Sequence, residues 1–235
     1  MTLDRILQSQ GFGTRRYCGD LIGAGLVEVN GELCEDPRAQ FEVDGLRLTV
    51  DGEAWVACTK AYLMLNKPAG YECSQRPRNH PSVYNLLPVP LRQREVQAVG
   101  RLDHDTTGLL LLTDDGQFIH AHTSPKRKVP KVYEVTTAEP VTPEQAEALR
   151  TGVKLDDEPA PIAAEGCEIT GEHSLRLTLV QGKYHQVKRM VVAAGNHVTA
   201  LHRSAVGGLK LDPALPEGEW RWLTAEDLAA LTSKE

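Results

Sequence analysis

No run in the 235 residues approaches the roughly 18 consecutive apolar positions that a membrane-spanning helix requires. The opening Met1-Thr2-Leu3-Asp4-Arg5 also lacks the charged start and apolar core of a signal peptide. The expectation is a cytoplasmic protein that engages no membrane. Cysteine is sparse: five residues, at 18, 34, 58, 73 and 167, odd in number and never spaced C-x-x-C. That argues against a disulfide framework and against a zinc site. There is no Rossmann glycine pattern, and His80, His120, His122, His197 and His202 form no His-x-x-x-His ligand pair. Neither a metal nor a cofactor is expected. Internal repeats and low-complexity tracts are absent, and the formal charge of −6 excludes a surface coated with nucleic-acid-binding charge while leaving room for a local basic cleft.

With 41% apolar residues the chain can build a packed core. Residues 1–58 read as a small module. Leu3, Ile6 and Leu7 have helical spacing, Thr14 is placed to cap a second helix reaching Ile22, and Val27-Glu28-Val29-Asn30-Gly31-Glu32 reads as a strand entering a tight turn. Leu46, Leu48 and Val50 then alternate like a closing strand before Asp51-Gly52. This order, with Leu3-Asp4-Arg5, Thr14-Arg15-Arg16 and Val27 to Gly31, resembles the S4-type RNA-binding domain, which implies that Arg15 and Arg16 face RNA. The module nevertheless holds five arginines against ten acids, a net of −5. Phosphate affinity grows with the number of cations laid on the backbone, so weak binding by this module is expected.

Residues 59–235 change texture to many short strands. Tyr62–Leu65, Leu109–Leu112 and Val132–Thr136 are apolar or β-rich runs, and Leu175, Leu177 and Leu179 alternate with Arg176 and Thr178. Helices are signalled by the capping box Thr142-Pro143-Glu144-Gln145, by Thr224 before Ala225–Leu231, and by Gln186–Ala194 ended at Gly195-Asn196. Asp115-Gly116 reads as a hairpin turn. The expected class is α+β, a mixed and largely antiparallel sheet with flanking helices.

Three separated segments carry the reactive and cationic residues. The first is Gly100-Arg101-Leu102-Asp103, a carboxylate beside an arginine in a polar loop that runs into a buried strand. The second is Lys126 to Tyr133, with four cations in six residues. The third is Gly182-Lys183-Tyr184-His185-Gln186-Val187-Lys188-Arg189-Met190, where Val187, Met190, Val191 and Ala194 share a helical face flanked by Lys188 and Arg189. Cations interleaved with aromatics suit a polyanion with stackable bases. Asp105, Asp114 and Asp115 read as loop and turn residues.

Ala98-Val99-Gly100-Arg101-Leu102-Asp103, Thr106-Thr107-Gly108-Leu109 and Thr113-Asp114-Asp115-Gly116-Gln117 together resemble the signature of RsuA-type pseudouridine synthases. Met64-Leu65-Asn66-Lys67-Pro68, Lys131-Val132-Tyr133, His185 to Met190, Gly195 to Val198, Leu201-His202-Arg203 and Gly207-Gly208 extend the likeness, in order, over nearly the whole chain. The resemblance implies isomerisation of a uridine within RNA, with Asp103 as nucleophile; it does not choose between attack at the ribose and attack at the ring. It makes Tyr133 the tyrosine beside the uracil and Val187 the apolar wall beneath it. Lys188 is the first choice for the cation facing Asp103 and Arg189 the second, since adjacent helix positions point about 100° apart. Arg101 is expected to fill the space left by the flipped nucleotide, and Lys67, Lys131 and Arg203 are expected RNA contacts. The form of the third segment, with Asn196-His197-Val198 and Leu201-His202-Arg203, resembles enzymes of the small subunit, implying one uridine of 16S ribosomal RNA, free or in an assembling particle, and a monomeric enzyme. The alternatives are the same chemistry on 23S ribosomal RNA or transfer RNA, and a non-catalytic RNA-binding ribosome-assembly factor. A hydrolase with paired carboxylates would need a second acid about 5 to 10 Å from Asp103, and Asp105 is the near one.

Overall fold

The computed structural model describes residues 1–232 and divides into two compact units. The first comprises Met1–Ala61 together with the later segments Leu87–Gln97 and Thr113–Asp115. Helices α1 (Leu3–Gln10) and α2 (Arg15–Gly23) form where the apolar spacing places them, with Leu3, Ile6, Leu7, Cys18 and Ile22 all fully buried. Thr14 caps α2 by accepting a hydrogen bond from the Tyr17 N–H at 3.3 Å, worth about 1 kcal/mol.

The strands that follow, β1 (Val27–Val29), β2 (Glu32–Leu33), β3 (Arg47–Val50) and β4 (Glu53–Val56), form an antiparallel sheet in the order β2-β1-β3-β4. Asn30 and Gly31, at φ 52° and 85°, make the two-residue turn between β1 and β2. Both central residues need positive φ there because only such turns match the right-handed strand twist. Asp51-Gly52 repeats this device and leads into β4, a strand the apolar alternation does not announce because only Trp55 of its four residues is buried.

The segment 57–61 is pinned within this unit. Arg94, just after α3 (Val89–Gln93), donates to Gln10 Oε1 at 2.8 Å, to the Cys58 carbonyl at 3.1 Å and to Asp114 Oδ2 at 2.6 Å. Asp114 also accepts from the Ala61 N–H at 2.9 Å. The Asp114-Asp115-Gly116 stretch is therefore not the expected hairpin turn. Asp114 is occupied as an acceptor, Asp115 N–H donates to Thr113 Oγ1 at 3.0 Å, and the chain continues into a helix at Gly116.

The second unit is built on a nine-stranded sheet. Its elements are β5 (Tyr62–Lys67), β6 (Gln97–Ala98), β7 (Thr107–Thr113), α4 (Gly116–Thr123), β8 (Lys131–Thr137), α5 (Pro143–Thr151), β9 (Gly166–Gly171), β10 (Ser174–Leu179), α6 (Gln186–Ala193), β11 (Val198–Val206), β12 (Leu209–Lys210), β13 (Trp220–Trp222) and α7 (Ala225–Thr232). The strand order is β13-β5-β7-β11-β8-β10-β9, with β6 on β7 and β12 on β11. β7 and β11 pair in parallel, Thr107 opposite His202 and Gly108 opposite Arg203; β11–β8, β8–β10, β10–β9 and β13–β5 are antiparallel.

The run Leu109–Leu112 is buried throughout, as a central strand covered on both faces requires, and each such leucine contributes about 1.5–3 kcal/mol by leaving water. Leu109 and Leu111 join Met64, Val99, Val206, Leu209 and Leu231 in one cluster. Gly108, at φ 99°, lies so close to β11 that a Cβ would stand 2.4 Å from the Arg203 carbonyl oxygen, which excludes any side chain there. The fold is α+β, a mixed and largely antiparallel sheet with α5 against β9 and α6 against β11. Among the described residues no helix is long and apolar enough to cross a membrane.

Candidate active site

The loop from Gly100 to Thr106 enters β7 and is held from beneath by Lys67, at the end of β5. The Lys67 ammonium donates to the carbonyls of Pro68, His104 and Thr106 at 3.0, 3.2 and 2.9 Å, and the Gly70 N–H donates to the His104 carbonyl at 2.7 Å. Lys67 has no exposed surface. It shapes the loop and does not meet phosphate, which corrects its expected role as an RNA contact. Burial pushes its pKa down, against the pull of Cys73, Asp105 and Asp103.

On this loop Asp103 lines a pocket with Arg101, Thr106, Tyr133, Val187 and Lys188. The pocket thus draws on the loop before β7, on β8 and on the start of α6. Tyr133 is 9% exposed, and Leu179 and Leu201 add apolar wall. The Asp103 carboxylate has two cationic or polar neighbours, His185 Nε2 at 3.3 Å from one oxygen and Lys188 Nζ at 3.4 Å from the other. Arg101, exposed at the rim, is in no recorded ion pair with it among the described residues.

Lys188 is also bound by both oxygens of Asp105, at 2.7 and 2.8 Å. Burial pushes the Asp105 pKa up, but the hydrogen bond and charge of Lys188 more than reverse this, leaving the carboxyl below its ordinary value. Asp105, read from the sequence as a loop residue, is thus the anchor of the pocket lysine.

Helix α6 sorts its two cations as helical geometry demands. Val187, Met190 and Val191 are buried, Lys188 points into the pocket, and Arg189 pairs with Asp157 and donates to the Tyr184 carbonyl at 3.2 Å. His185, preceding the helix, takes the left-handed conformation at φ 46° and ψ 34°. A non-glycine residue rarely adopts that geometry, and such strain concentrates at functional sites. His185 is not among the site residues picked out from the sequence; its place directly before α6, three residues from Lys188, is the signal that points to it.

The other expected contacts fall elsewhere. Arg203 is 2% exposed, and its Nε donates to the Leu109 carbonyl at 2.8 Å; as an internal brace between β11 and β7 it has no surface for RNA, which corrects that expectation. Lys131 shares a face of β8 with Tyr133 by alternation but donates to the Val129 carbonyl at 3.0 Å and does not line the pocket. Burial, aided by the charge of Arg203, pushes its pKa down to about 8. Arg15 lies in the first unit, bound to Asp4 at 2.6 Å, and Arg16 is exposed there. Among the described residues no group of three or more His, Cys, Asp or Glu is placed to hold a metal ion.

What remains is a carboxylate between a lysine and a histidine, at an opening walled by a tyrosine and aliphatic side chains. The lysine ammonium attracts the carboxylate, and the walls suit a flat heterocycle. Residues 61–193 match the family model of RNA pseudouridylate synthases and residues 1–44 that of the S4 domain. The chain is 41% identical to the ribosomal small subunit pseudouridine synthase A of Pasteurella multocida, over 97% of this chain and 98% of the relative. It is 40% identical to the protein of that name from Escherichia coli K12, over 98% of this chain and 100% of the relative. A solved structure titled as a pseudouridylate synthase superposes with a TM-score of 0.70 at 37% identity, covering 99% of this chain and all of the other. With its S4 domain and its synthase domain both matched, the chain belongs to the RNA pseudouridylate synthase family.

Proposed function

We propose that this enzyme isomerises one uridine of bacterial 16S ribosomal RNA, with Asp103 as the nucleophile. The observation that carries the role of Asp103 is its placement, 3.3 Å from His185 and 3.4 Å from Lys188, in the pocket that Tyr133 and Val187 wall. A carboxylate suits the task because it can bond to an electron-poor centre and later leave it. In the isomerisation the N1–C1′ bond breaks, the ring turns and the C5–C1′ bond forms. The proton lost from C5 is matched by one gained at N1, so no oxidant or co-reactant enters. Lys188 and His185 flank the Asp103 carboxylate, one at each oxygen, where the base closes over it. Tyr133 packs against the ring and is placed to move a proton.

The target nucleotide leaves its helix at a cost of about a few kcal/mol, and Arg101 at the rim offsets this by taking the vacated space and meeting phosphate. The names of the full-length relatives support the small-subunit target. A monomer working in the cytoplasm, on free RNA or on an assembling small subunit, completes the proposal.

The experiment is to incubate the wild type and Asp103→Asn with separately transcribed small- and large-subunit ribosomal RNA, and with assembling particles, and to map pseudouridine by chemical adduct and primer extension. One new site in the small-subunit RNA, made only by the wild type, is expected. A site in the large-subunit RNA overturns the substrate, and full turnover by Asp103→Asn overturns the nucleophile.

A further inference from the structure

Beside the pocket runs a second cleft that shares Arg101, Asp103 and His185 with it and adds Arg78, His80, His104 and Tyr184. Tyr184 is 73% exposed, more than any other large apolar side chain among the described residues. Such a ring gains little for the fold by standing in water, whereas its flat face is available to a ligand. It stacks on the His185 ring with centroids 3.8 Å apart and planes at 17°. His185, in its left-handed backbone conformation, places Nε2 3.3 Å from Asp103. One strained residue thus fixes both the neighbour of the carboxylate and the platform outside the pocket.

The wall that carries His80 is braced by its own hydrogen bonds. The Glu72 carboxylate accepts from the backbone N–H groups of Arg78, Asn79 and His80 at 3.1, 2.9 and 3.0 Å. These bonds hold its pKa below the ordinary value. The His80 and His104 rings stack at 4.2 Å with planes 8° apart. Arg78 and Arg101 are both exposed, so two guanidinium groups share this cleft with an open aromatic face. That combination matches a single-stranded nucleotide, whose base has a stacking face and whose phosphate is anionic.

We infer that this cleft is the subsite for the nucleotide adjacent to the target uridine, its base stacked on the open face of Tyr184 and its phosphate met by Arg101 and Arg78. The inference rests on the reading of Asp103 as the residue that meets the uridine: both cavities border it, so a strand leaving the pocket passes into the cleft. Tyr184 is then a determinant of RNA affinity and local sequence preference, separate from the chemistry.

The test uses the full chain and short RNAs spanning the mapped uridine, intact or with an abasic nucleotide on one side or the other. Dissociation constants and pseudouridine formation are measured for the wild type, Tyr184→Ala and Tyr184→Phe. Loss of one base–aromatic stack is expected to weaken binding about tenfold. Tyr184→Ala should show that loss in Kd and KM with a much smaller change in kcat, and Tyr184→Phe should recover most of it. On one of the two abasic RNAs the wild type should lose the same factor and Tyr184→Ala nothing more. Equal abasic penalties in both proteins, or a fall in kcat with Kd unchanged, overturn the subsite. No pseudouridine from the wild type, with the Kd pattern intact, overturns the reaction assigned to Asp103 and supports the subsite.

Discussion

Lys188 stands 3.4 Å from Asp103. Its ammonium is held more tightly by Asp105, at 2.7 and 2.8 Å, so its position does not depend on Asp103 remaining charged. A cation anchored in this way stays in place while the neighbouring carboxylate forms and releases a bond, and its influence grows as substrate displaces water.

Removing that charge while keeping the bulk isolates the effect. Lys188→Met is expected to slow single-turnover pseudouridine formation by about 100-fold or more, the scale seen when one preorganised electrostatic contact is lost. Lys188→Arg keeps the charge and should recover part of the rate. A Lys188→Met enzyme as fast as the wild type would remove Lys188 from the chemistry.

Asp105 gives a pH signature. Its pKa is depressed in the fold, burial being outweighed by Lys188. A depressed carboxylate stabilises the native state above its unfolded pKa and loses that contribution as pH falls through the folded value. The wild type should melt above Asp105→Asn at pH 7, and the gap should close as the pH drops below about 4. Thermal melts of both proteins from pH 7 to 3 check this; a gap independent of pH would contradict the assignment.

Lys131 shows the opposite sign. Its folded pKa of about 8 lies below the ordinary lysine value of 10.5, so the charged form opposes folding at neutral pH. As the pH rises from 8 toward 10.5 the unfolded chain binds more protons than the folded one, and stability rises. Any stability advantage of Lys131→Met over the wild type should therefore shrink across that window, as measured by urea unfolding at several pH values. Parallel curves would show that Lys131 titrates normally.

Lys67→Met takes the ammonium away from three carbonyl oxygens, those of Pro68, His104 and Thr106, of which His104 keeps the Gly70 N–H. Hydrogen bonds to charged groups are worth about 1.5–3 kcal/mol each and do not add fully. A loss of at least about 2 kcal/mol in urea denaturation is expected, together with reduced turnover from a loosened Asp103 loop. Stability equal to the wild type would show that the ammonium is not holding the loop.

Local pattern made much of the fold legible. Leu3, Ile6 and Leu7 announce α1, the capping box announces α5, and Gly195-Asn196 marks the end of α6 within a residue. Where local signals serve two structures, the pattern failed. Asp115-Gly116 fits a hairpin turn and equally a helix start, and the choice was made by Asp114, whose partners Arg94 and Ala61 lie 20 and 53 residues away in the chain. Lys67 and Arg203 read as surface cations because their types are usually exposed. Lys67 instead donates to the carbonyls of Pro68, His104 and Thr106, and Arg203 Nε to the Leu109 carbonyl of β7.

Residue order alone was enough to place Asp103, Tyr133 and Lys188 in one family signature and to say that only one of Lys188 and Arg189 faces Asp103, because a helix turns adjacent side chains apart whatever surrounds it; it left Lys188 as first choice and Arg189 as second. It carried no account of who neutralises whom. Three-dimensional packing assigned Lys188 to Asp105 as well as Asp103, brought His185 to the far oxygen of Asp103, and opened the cleft beside Tyr184. Those relations join residues more than 80 positions apart. Electrostatic partnership depends on distances in space, and chain proximity sets such distances only within a helical turn or a hairpin.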